Sequence, residues 1–371
     1  MPPDPPRPAR APASTRALPW RFAGFLATSL LSQDALGAVF RALPPSEKPD
    51  GFVRLRIFDG PELPRERVAS ILQSSRGASS IPDSPVLAQN ARLGAHEGTG
   101  WLAWKESHGH ALDRLLSGRS REGHRFPPEH ALLIADRLAL ALEHAGARGR
   151  VAHGLLWPGF VTLGPAGEVR LGGFGVASAV LPFLSAPSLS AEIAPYLAPE
   201  TREGDPGGEI GDVYSVGAIL LHLLSGMPAP SRDAADAVGP AELYPPGAGE
   251  VLRRALAPAP RRMERAALLR REIGAVIVSS GLQPSSRALA SFAAFRMEAE
   301  NAAGDAPGSR RASPAPADED WELAISKLEP GPESAPRPRS GRPARVPLPP
   351  DRSPGRALRA QPGAGRNLPP R

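Results

Sequence analysis

The 371 residues include 46 Pro and 38 Gly but no Cys, and the charged side chains sum to a formal net charge of +6. Without cysteine there is neither a disulfide framework nor a thiolate metal site, which favours a reducing compartment such as the cytoplasm. No apolar run reaches the roughly 18 residues of a membrane span, and the Pro-broken start lacks the apolar centre of an export signal.

The first part of the chain has the pattern of a β-rich lobe behind a short leader. Residues 1–17 are Pro-rich, and we expect them to be disordered. Residues 18–108 form the β-rich lobe, because short apolar runs alternate there with turn residues. Strands are predicted over 22–31, 37–43, 52–58, 85–98 and 100–106, and one helix over 64–73.

After Gly109 the apolar residues recur at helical spacing, which predicts a helical lobe over 109–298. Its helices are predicted over 111–116, 127–149, 211–226, 249–257, 263–280 and 285–301, the last with Ser286 as its N-cap, and short strands over 160–163 and 168–173 flank a turn.

From residue 299 to 371 the composition shifts to Pro, Ala, Arg, Gly and Ser, and we expect a disordered tail. Within it, residues 318–329 form a possible short helix, because Trp321, Ile325 and Leu328 would share one face. This helix is a candidate for docking a partner, or a stray amphipathic stretch.

Three motifs between residues 151 and 226 follow one another in a familiar order. VAHGLLWPGF is followed by two strands and GGFGVAS, then by YLAPE and the buried helix GDVYSVGAILLHLLSG. The series resembles the catalytic loop, D-F-G and A-P-E motifs of protein kinases, and the subgroup it suggests is bacterial serine/threonine kinases. The resemblance implies an α+β, two-lobed protein-kinase-like fold with a small β-rich lobe and a larger helical lobe.

The resemblance is weakest where kinases hold ATP. In LSQDALGAVF, Gly37 matches the glycine-rich loop, but Asp34 stands where a glycine belongs and would repel phosphates by a few kcal/mol. Arg56 stands at the position of the β3 Lys, and Trp104 at the back of the nucleotide pocket. As alternatives, Gly37 is an ordinary turn glycine, Arg56 a surface arginine and Trp104 a core residue.

The residues that the resemblance assigns to catalysis and metal binding are also replaced. Leu155 stands for the catalytic Asp, Phe160 for the Mg²⁺-binding Asn and Gly173 for the Asp of D-F-G. Between His153 and Ala191 the only carboxylate is Glu168, which lies in a turn. Because Mg²⁺ requires hard oxygen ligands, we expect no metal, no cofactor and no catalytic residue.

Residues with structural roles in the family are kept. By resemblance, Asp212 holds the catalytic-loop backbone and Glu200 pairs with Arg261 or Arg262. His153 and Phe174 match stacked core residues that link the lobes. A buried Asp without partners would be costly, so Asp212 is expected to be hydrogen-bonded.

These observations predict a catalytically inactive pseudokinase that acts as a scaffold or allosteric partner in bacterial signalling. Its partners would be proteins, such as an active kinase or another signalling protein. The alternative is an atypical serine/threonine kinase that binds ATP and Mg²⁺ and transfers phosphate. Nucleic-acid binding by the Arg-rich tail is not expected, because aromatic residues are not interleaved with its arginines.

Overall fold

The elements of the first lobe are β1 (Trp20–Phe22), β2 (Phe25–Asp34), β3 (Gly37–Leu43), β4 (Val53–Phe58), α1 (Arg65–Ser74), β5 (Arg92–His96) and β6 (Thr99–Lys105). The strands form a six-stranded antiparallel sheet in the order β1-β2-β3-β4-β6-β5. Helix α1 packs against β5 and β6. The mostly β character of this lobe is confirmed.

The structure is a computed structural model that describes residues 12–46, 51–74, 83–89, 91–106, 108–116, 125–149, 151–205, 207–230, 234–239 and 244–304. Within these ranges, no helix is long and apolar enough to cross a membrane.

The second lobe is helical, as its apolar spacing predicts. A three-stranded sheet in the order β7-β8-β9 lies at its start, with β7 (His110–Ala111), β8 (Val161–Leu163) and β9 (Val169–Leu171). The helices are α2 (Leu112–Leu116), α3 (Pro128–Gly149), α4 (Ala177–Val180), α5 (Pro187–Glu192), α6 (Pro199–Arg202), α7 (Gly208–Ser225), α8 (Ala248–Ala255), α9 (Ala266–Ser279) and α10 (Ser286–Gly304).

Helix α7 is the centre of this lobe, because it is apolar on nearly all sides and buried from Gly211 to Leu224. Helix α3 packs against both α7 and α9 with an amphipathic face. One hydrophobic core joins the lobes, since Phe58 and Leu102 of the first lobe belong to the same cluster as Leu155 and Phe160. A smaller cluster that includes Phe25 and Phe40 covers the other face of the six-stranded sheet.

Several boundaries differ from the prediction. The strand expected over 22–31 is two strands, because Ala23 and Gly24 adopt positive φ angles of 51° and 85° and reverse the chain. The strand expected over 85–98 is reduced to β5. At α10 the cap is Ser285, whose hydroxyl accepts from the Ala288 amide at 3.4 Å, so the prediction of Ser286 is wrong by one residue.

Both ends of the folded chain extend beyond the predicted lobes. Ala13, within the leader expected over 1–17, is buried and donates its amide to Asp59 Oδ2 at 2.5 Å. Helix α10 continues to Gly304, past the predicted end of the helical lobe at 298. The possible helix over 318–329 lies outside the described residues.

Candidate functional site

Two arginines of β4 project into the cleft between the lobes. Arg54 and Arg56 lie on one face of the strand, because side chains two residues apart point the same way. Arg54 reaches the start of the second lobe, where its Nη2 donates to the carbonyl of Gly109 at 2.6 Å. Burial lowers the pKa of Arg54, and the carboxylate of Glu106 partly offsets this effect. The cleft face of β4 is therefore occupied by side chains of the protein itself.

Arg56 is fully buried in an ion pair with Asp34. Its Nη1 lies 2.7 Å from Asp34 Oδ1, and the two side chains are only 1% and 5% exposed. Its guanidinium also lies 5.4 Å from the centre of the Phe160 ring. The reading of Arg56 as a surface arginine is therefore wrong. The side chain of Asp34, at the end of β2, therefore points into the protein toward the guanidinium of Arg56.

Gly37 begins β3 in a conformation that excludes other residues. Its φ is +129°, and a Cβ there would lie 2.2 Å from the carbonyl oxygen of Ile57. The nearby carboxylate of Asp59 accepts a hydrogen bond from the Ala38 amide at 3.3 Å. Close packing of the β2–β3 hairpin on β4 thus accounts for this glycine without any ligand.

The ring of Phe160 fills the space beside Gly173. Gly173 has a φ of +84°, and a Cβ there would lie 2.5 to 2.7 Å from three atoms of the Phe160 ring. Phe160 itself is 5% exposed and contacts the rings of His153 and Trp157, with centroid distances of 5.7 and 6.1 Å. A carboxylate at position 173 and this phenyl ring therefore exclude each other unless the backbone shifts.

Leu155 and Trp104 add further apolar bulk to the same region. Leu155 is fully buried in the core that joins the lobes. Trp104 is paired with Arg54 across β6 and β4, and it lines a cavity of about 140 Å³ together with Phe160 and Gly172. Trp104 thus packs on the core and also borders a small cavity.

Asp212 of α7 holds the loop that carries His153. Its two carboxylate oxygens accept hydrogen bonds from the backbone amides of His153 and Gly154 at 2.7 and 2.8 Å. Burial raises the pKa of Asp212 to about 7 against the effect of these two bonds. This buried carboxylate is fully engaged by the backbone and is not available to bind a ligand.

His153 is a neutral, packed residue. Burial lowers the pKa of His153 to about 4, so its imidazole is uncharged near neutral pH. Its Nε2–H donates to the carbonyl of Gly172 at 2.7 Å, and its ring lies 4.6 Å from that of Phe174, centre to centre. These contacts tie the loop to the strand that precedes Gly173.

Glu200 pairs with Arg262, the second of its two candidate partners. The fully buried Arg262 binds both oxygens of Glu200, one at 2.5 Å and the other at 3.3 Å. Burial tends to raise the pKa of Glu200, but the bonds from Arg262 leave it below the usual value. The pair joins α6 to the segment before α9 at a distance from the cleft.

The lobes are fastened together by hydrogen bonds from the segment around α5. Glu192 accepts from the amide of Ala35, at the tip of the β2–β3 hairpin, at 2.9 Å. Glu62, before α1, accepts from the amide of Ser188 at 2.8 Å and from its hydroxyl. These polar contacts join the β2–β3 hairpin and the segment before α1 to the helical lobe.

Among the residues that the structure describes, no group of three or more His, Asp or Glu side chains could hold a metal ion. Glu168 is the only carboxylate between His153 and Ala191. It accepts a hydrogen bond from the amide of Ala166 at 3.0 Å, within the β8–β9 turn. That bond is made by its Oε2, and its Oε1 lies 3.9 Å from Arg170 Nη2.

Serine/threonine-protein kinases are among the known proteins to which the chain is similar. The chain is 28% identical over 217 residues to the serine/threonine-protein kinase PknK of Mycobacterium tuberculosis, an alignment that covers 58% of this chain and 19% of PknK. It is 32% identical over 129 residues to PknA of the same species, covering 34% of this chain and 29% of PknA. No family model matches the chain.

Solved structures agree with these relatives. The kinase domain of M. tuberculosis PknI superposes with a TM-score of 0.55 at 23% identity, over 72% of this chain and 100% of that domain. The chain therefore has the fold of a protein kinase domain. The expected two-lobed, α+β protein-kinase-like fold is thereby confirmed, and the chain spans about a fifth of PknK, 19% of its length.

Within a protein-kinase fold, the geometry described above has a direct chemical meaning. Kinases neutralise the phosphates with an Asp and an Asn that hold Mg²⁺, and an Asp accepts the proton of the substrate hydroxyl. The motif resemblance predicts that Gly173, Phe160 and Leu155 stand at those positions, and none of the three side chains offers an oxygen. Asp212 and His153, by contrast, hold the loop through hydrogen bonds. Asp212 accepts from the His153 amide, and His153 Nε2 donates to the carbonyl of Gly172.

Sequence reasoning missed three residues that shape this cleft, namely Arg54, Asp113 and Glu192. A signal was present for Arg54, because it lies two residues before Arg56 in an alternating strand and must share its face. Asp113 follows the first residue of α2, and burial together with the Asp34 carboxylate raises its pKa to about 6. No local sequence pattern could have predicted that Asp113 and Glu192 lie beside the β2–β3 hairpin. Their interactions with Asp34 and Ala35 depend on how the two lobes pack together.

Proposed function

We propose that this kinase-like domain is a pseudokinase, which functions by binding proteins and does not transfer phosphate. The observation that carries the proposal is the position of Phe160, whose ring fills the space that a carboxylate at residue 173 would need. The Arg56–Asp34 ion pair supports the proposal, because the guanidinium and the carboxylate neutralise each other inside the protein. A divalent cation would therefore meet a phenyl ring and a guanidinium where it needs oxygen ligands.

Phosphoryl transfer by the full chain tests the proposal. The chain is incubated with labelled ATP, Mg²⁺ or Mn²⁺, and a general protein acceptor, and we expect no label above a blank without the chain. The matched variants are Arg56→Met in the cleft and Arg253→Met on the exposed surface of α8, where the side chain is 47% exposed. Label that disappears in Arg56→Met but persists in Arg253→Met would establish the alternative, an atypical serine/threonine kinase.

The partner would be a protein, such as an active kinase or another signalling protein, in the cytoplasm. The lack of cysteine supports the reducing compartment. The similarity to PknK and PknA, which are serine/threonine-protein kinases, supports a signalling context. The hydrophobic face of residues 318–329 is the proposed docking element.

Partner recovery from a lysate of the source cells tests the docking element. Truncation after Ala302 is expected to reduce recovery, and so is the pair Trp321→Ala and Leu328→Ala in the full chain. The control pair, Leu348→Ala and Leu358→Ala, removes two leucines from the same tail outside the docking element. Equal recovery of all four proteins would reject residues 318–329 as the docking element.

A further inference from the structure

A cavity of about 410 Å³ lies at the end of the six-stranded sheet where β4 begins and β6 ends. Its position follows from the strand register, which places Val53 opposite Lys105 and Arg92 opposite Ala103. Val53 and Ala103 pack with the smaller hydrophobic cluster, and Val53 lies on the opposite face of β4 from Arg54 because side chains alternate along a strand. The cavity is therefore on the side of the sheet that faces away from the cleft.

The floor of this cavity is apolar. It is formed by one buried side chain and four half-buried ones, namely Ala103, which is 1% exposed, and Pro44, Phe52, Val53 and Ala91. At Gly51, which also lines the cavity, no atom lies within 4 Å of the position that a Cβ would take, so the space above the floor is open. Pockets of about 300–1,000 Å³ with mostly apolar walls are typical of small-molecule sites. The cavity thus fits a small ligand with an apolar body.

The charged residues of the cavity are two exposed cations, Arg92 at the start of β5 and Lys105 at the end of β6. No acidic residue is among the described residues that line the cavity, and neither cation forms an ion pair within the described part of the chain. Glu106, the acid next to Lys105 in the sequence, lies 2.9 Å from Arg41 Nε. The cavity therefore combines an apolar floor with positive charge that has no carboxylate partner among these residues.

The two cations are placed where one anion can reach both. Arg92 is paired with Ala103, and Lys105 is two residues further along β6 on the same face, so the cations are diagonal neighbours. Such neighbours lie about 7–8 Å apart, a distance that their long side chains can close around one carboxylate. The Arg92 guanidinium lies 5.9 Å from the centre of the Phe25 ring, which belongs to the cluster on this face. A bound anion would relieve the repulsion between the two positive charges.

We propose that this cavity binds an amphiphilic carboxylate, a small molecule with an alkyl chain and one carboxylate group. The alkyl chain packs on the floor formed by Phe52, Val53 and Ala103. The carboxylate accepts charge-assisted hydrogen bonds from the guanidinium of Arg92 and the ammonium of Lys105. The inference does not depend on whether the domain transfers phosphate, because the cavity and the cleft lie on opposite faces of the sheet.

Calorimetric titration of the full chain tests the proposal with octanoate, used below the concentration at which it forms micelles. Octanol has the same chain without the charge, and acetate has the charge without the chain. We expect octanoate to bind about tenfold or more tightly than either, because it gains both the charge-assisted bonds and the apolar contact. From butanoate to octanoate, affinity should rise about fourfold for each methylene group that the cavity buries.

Variants of the cavity separate its charge from its shape. Arg92→Gln with Lys105→Gln should weaken octanoate binding about tenfold, to the level of octanol. The matched control, Arg265→Gln with Arg271→Gln, removes two cations at exposed positions just before and within α9 that do not line the cavity, and should change the affinity by less than about twofold. Val53→Phe fills part of the cavity and should weaken octanoate and octanol alike. Thermal unfolding verifies that each variant is folded.

The titrations of the native chain alone can reject the proposal, whether or not a variant folds. Absence of octanoate binding, or equal affinities for octanoate and octanol, would overturn it. Equal effects of the two charge variants would do the same. Binding that appears only after Glu47→Gln and Asp50→Asn, just before Gly51 in the sequence, would show that the chain's own acids hold the two cations, and would also overturn the proposal.

Discussion

Two neighbouring regions of this kinase-like domain differ in whether polar or apolar side chains fill them. Around Asp212 every carboxylate oxygen accepts a backbone hydrogen bond, and Glu200 is held by the fully buried Arg262. Around Gly173 the phenyl ring of Phe160 fills the space that a side chain at residue 173 would need. The comparison teaches that the contacts which shape a kinase fold are physically separable from those which handle phosphate, although both lie within a few residues of His153.

The largest effect is expected from Phe160, because its ring is the main filler of the altered region. Phe160→Ala should lower the free energy of unfolding by about 3–5 kcal/mol, the usual cost of deleting a buried aromatic ring. Phe295→Ala, at a position of α10 that is 68% exposed, is the matched control and should change stability little. Denaturant unfolding measures both, and similar effects of the two variants would contradict the packing role of Phe160.

The Arg56–Asp34 pair should show a strong coupling. Arg56→Met leaves a buried carboxylate without its cation and should cost about 3 kcal/mol or more in stability. In the double variant Arg56→Met with Asp34→Asn the charge is removed as well, and part of the loss should be recovered. A double-mutant cycle by urea unfolding measures the coupling, and strictly additive single effects would show that the two residues do not interact.

Asp113 should make stability depend on pH. Its pKa is raised from 3.8 to about 6 in the folded state, so the folded protein holds a proton there that the unfolded chain has lost. Its contribution is fully present below pH 3.8 and is lost as the pH rises through about 6. Relative to Asp113→Asn, the native chain should therefore lose about 2 kcal/mol of stability between pH 4 and 7.

The difference in unfolding free energy between the native chain and Asp113→Asn is measured across the pH range. The contributions of the other titrating groups cancel in this difference, because the two proteins share those groups. A constant difference between the native chain and Asp113→Asn would show that the carboxyl is not desolvated. A difference of the opposite sign would show that cations, such as Arg114, dominate its surroundings.

The smallest effect concerns the closure of the cleft. Glu192→Gln weakens the bond that the Ala35 amide donates, and should cost about 1 kcal/mol or less. Hydrogen exchange at the hairpin tip should become faster, while exchange at the amides of His153 and Gly154 should not change. Glu203→Gln, an exposed position after α6, serves as the control. Unchanged exchange at Ala35 would show that Glu192 does not hold the hairpin.

Local patterns were sufficient for the fold but not for the details of the cleft. Apolar spacing predicted α3 and α7, and the ordered motifs from His153 to the buried helix predicted a protein-kinase-like fold. Apolar spacing could not reveal that Ala23 and Gly24 divide the strand predicted over 22–31. Ala23 adopts a positive φ angle, which alanine rarely takes. The ordered position of Ala13 was also hidden, because it depends on Asp59, which is 46 residues away.

For the site, the sequence shows which residue types are present, and only the structure shows what occupies the space. The lack of side-chain oxygens at Leu155, Phe160 and Gly173 can be read directly from the sequence. That Phe160 packs on Gly173 and that Arg56 turns to Asp34 are tertiary contacts, which no spacing rule predicts. The sequence predicted that Glu200 pairs with Arg261 or Arg262. The structure selects Arg262, whose buried guanidinium contacts the Glu200 carboxylate.

We infer that no site for a nucleotide-bound divalent cation remains beside Gly173. Thermal unfolding of the full chain with ATP, with and without Mg²⁺, tests it most directly, because a ligand at a hundredfold excess over its dissociation constant stabilises a folded protein by about 2.7 kcal/mol. We predict the same melting temperature with and without the metal. A melting temperature that rises only when ATP and Mg²⁺ are both present, and that no longer rises in Arg56→Met, would contradict the account.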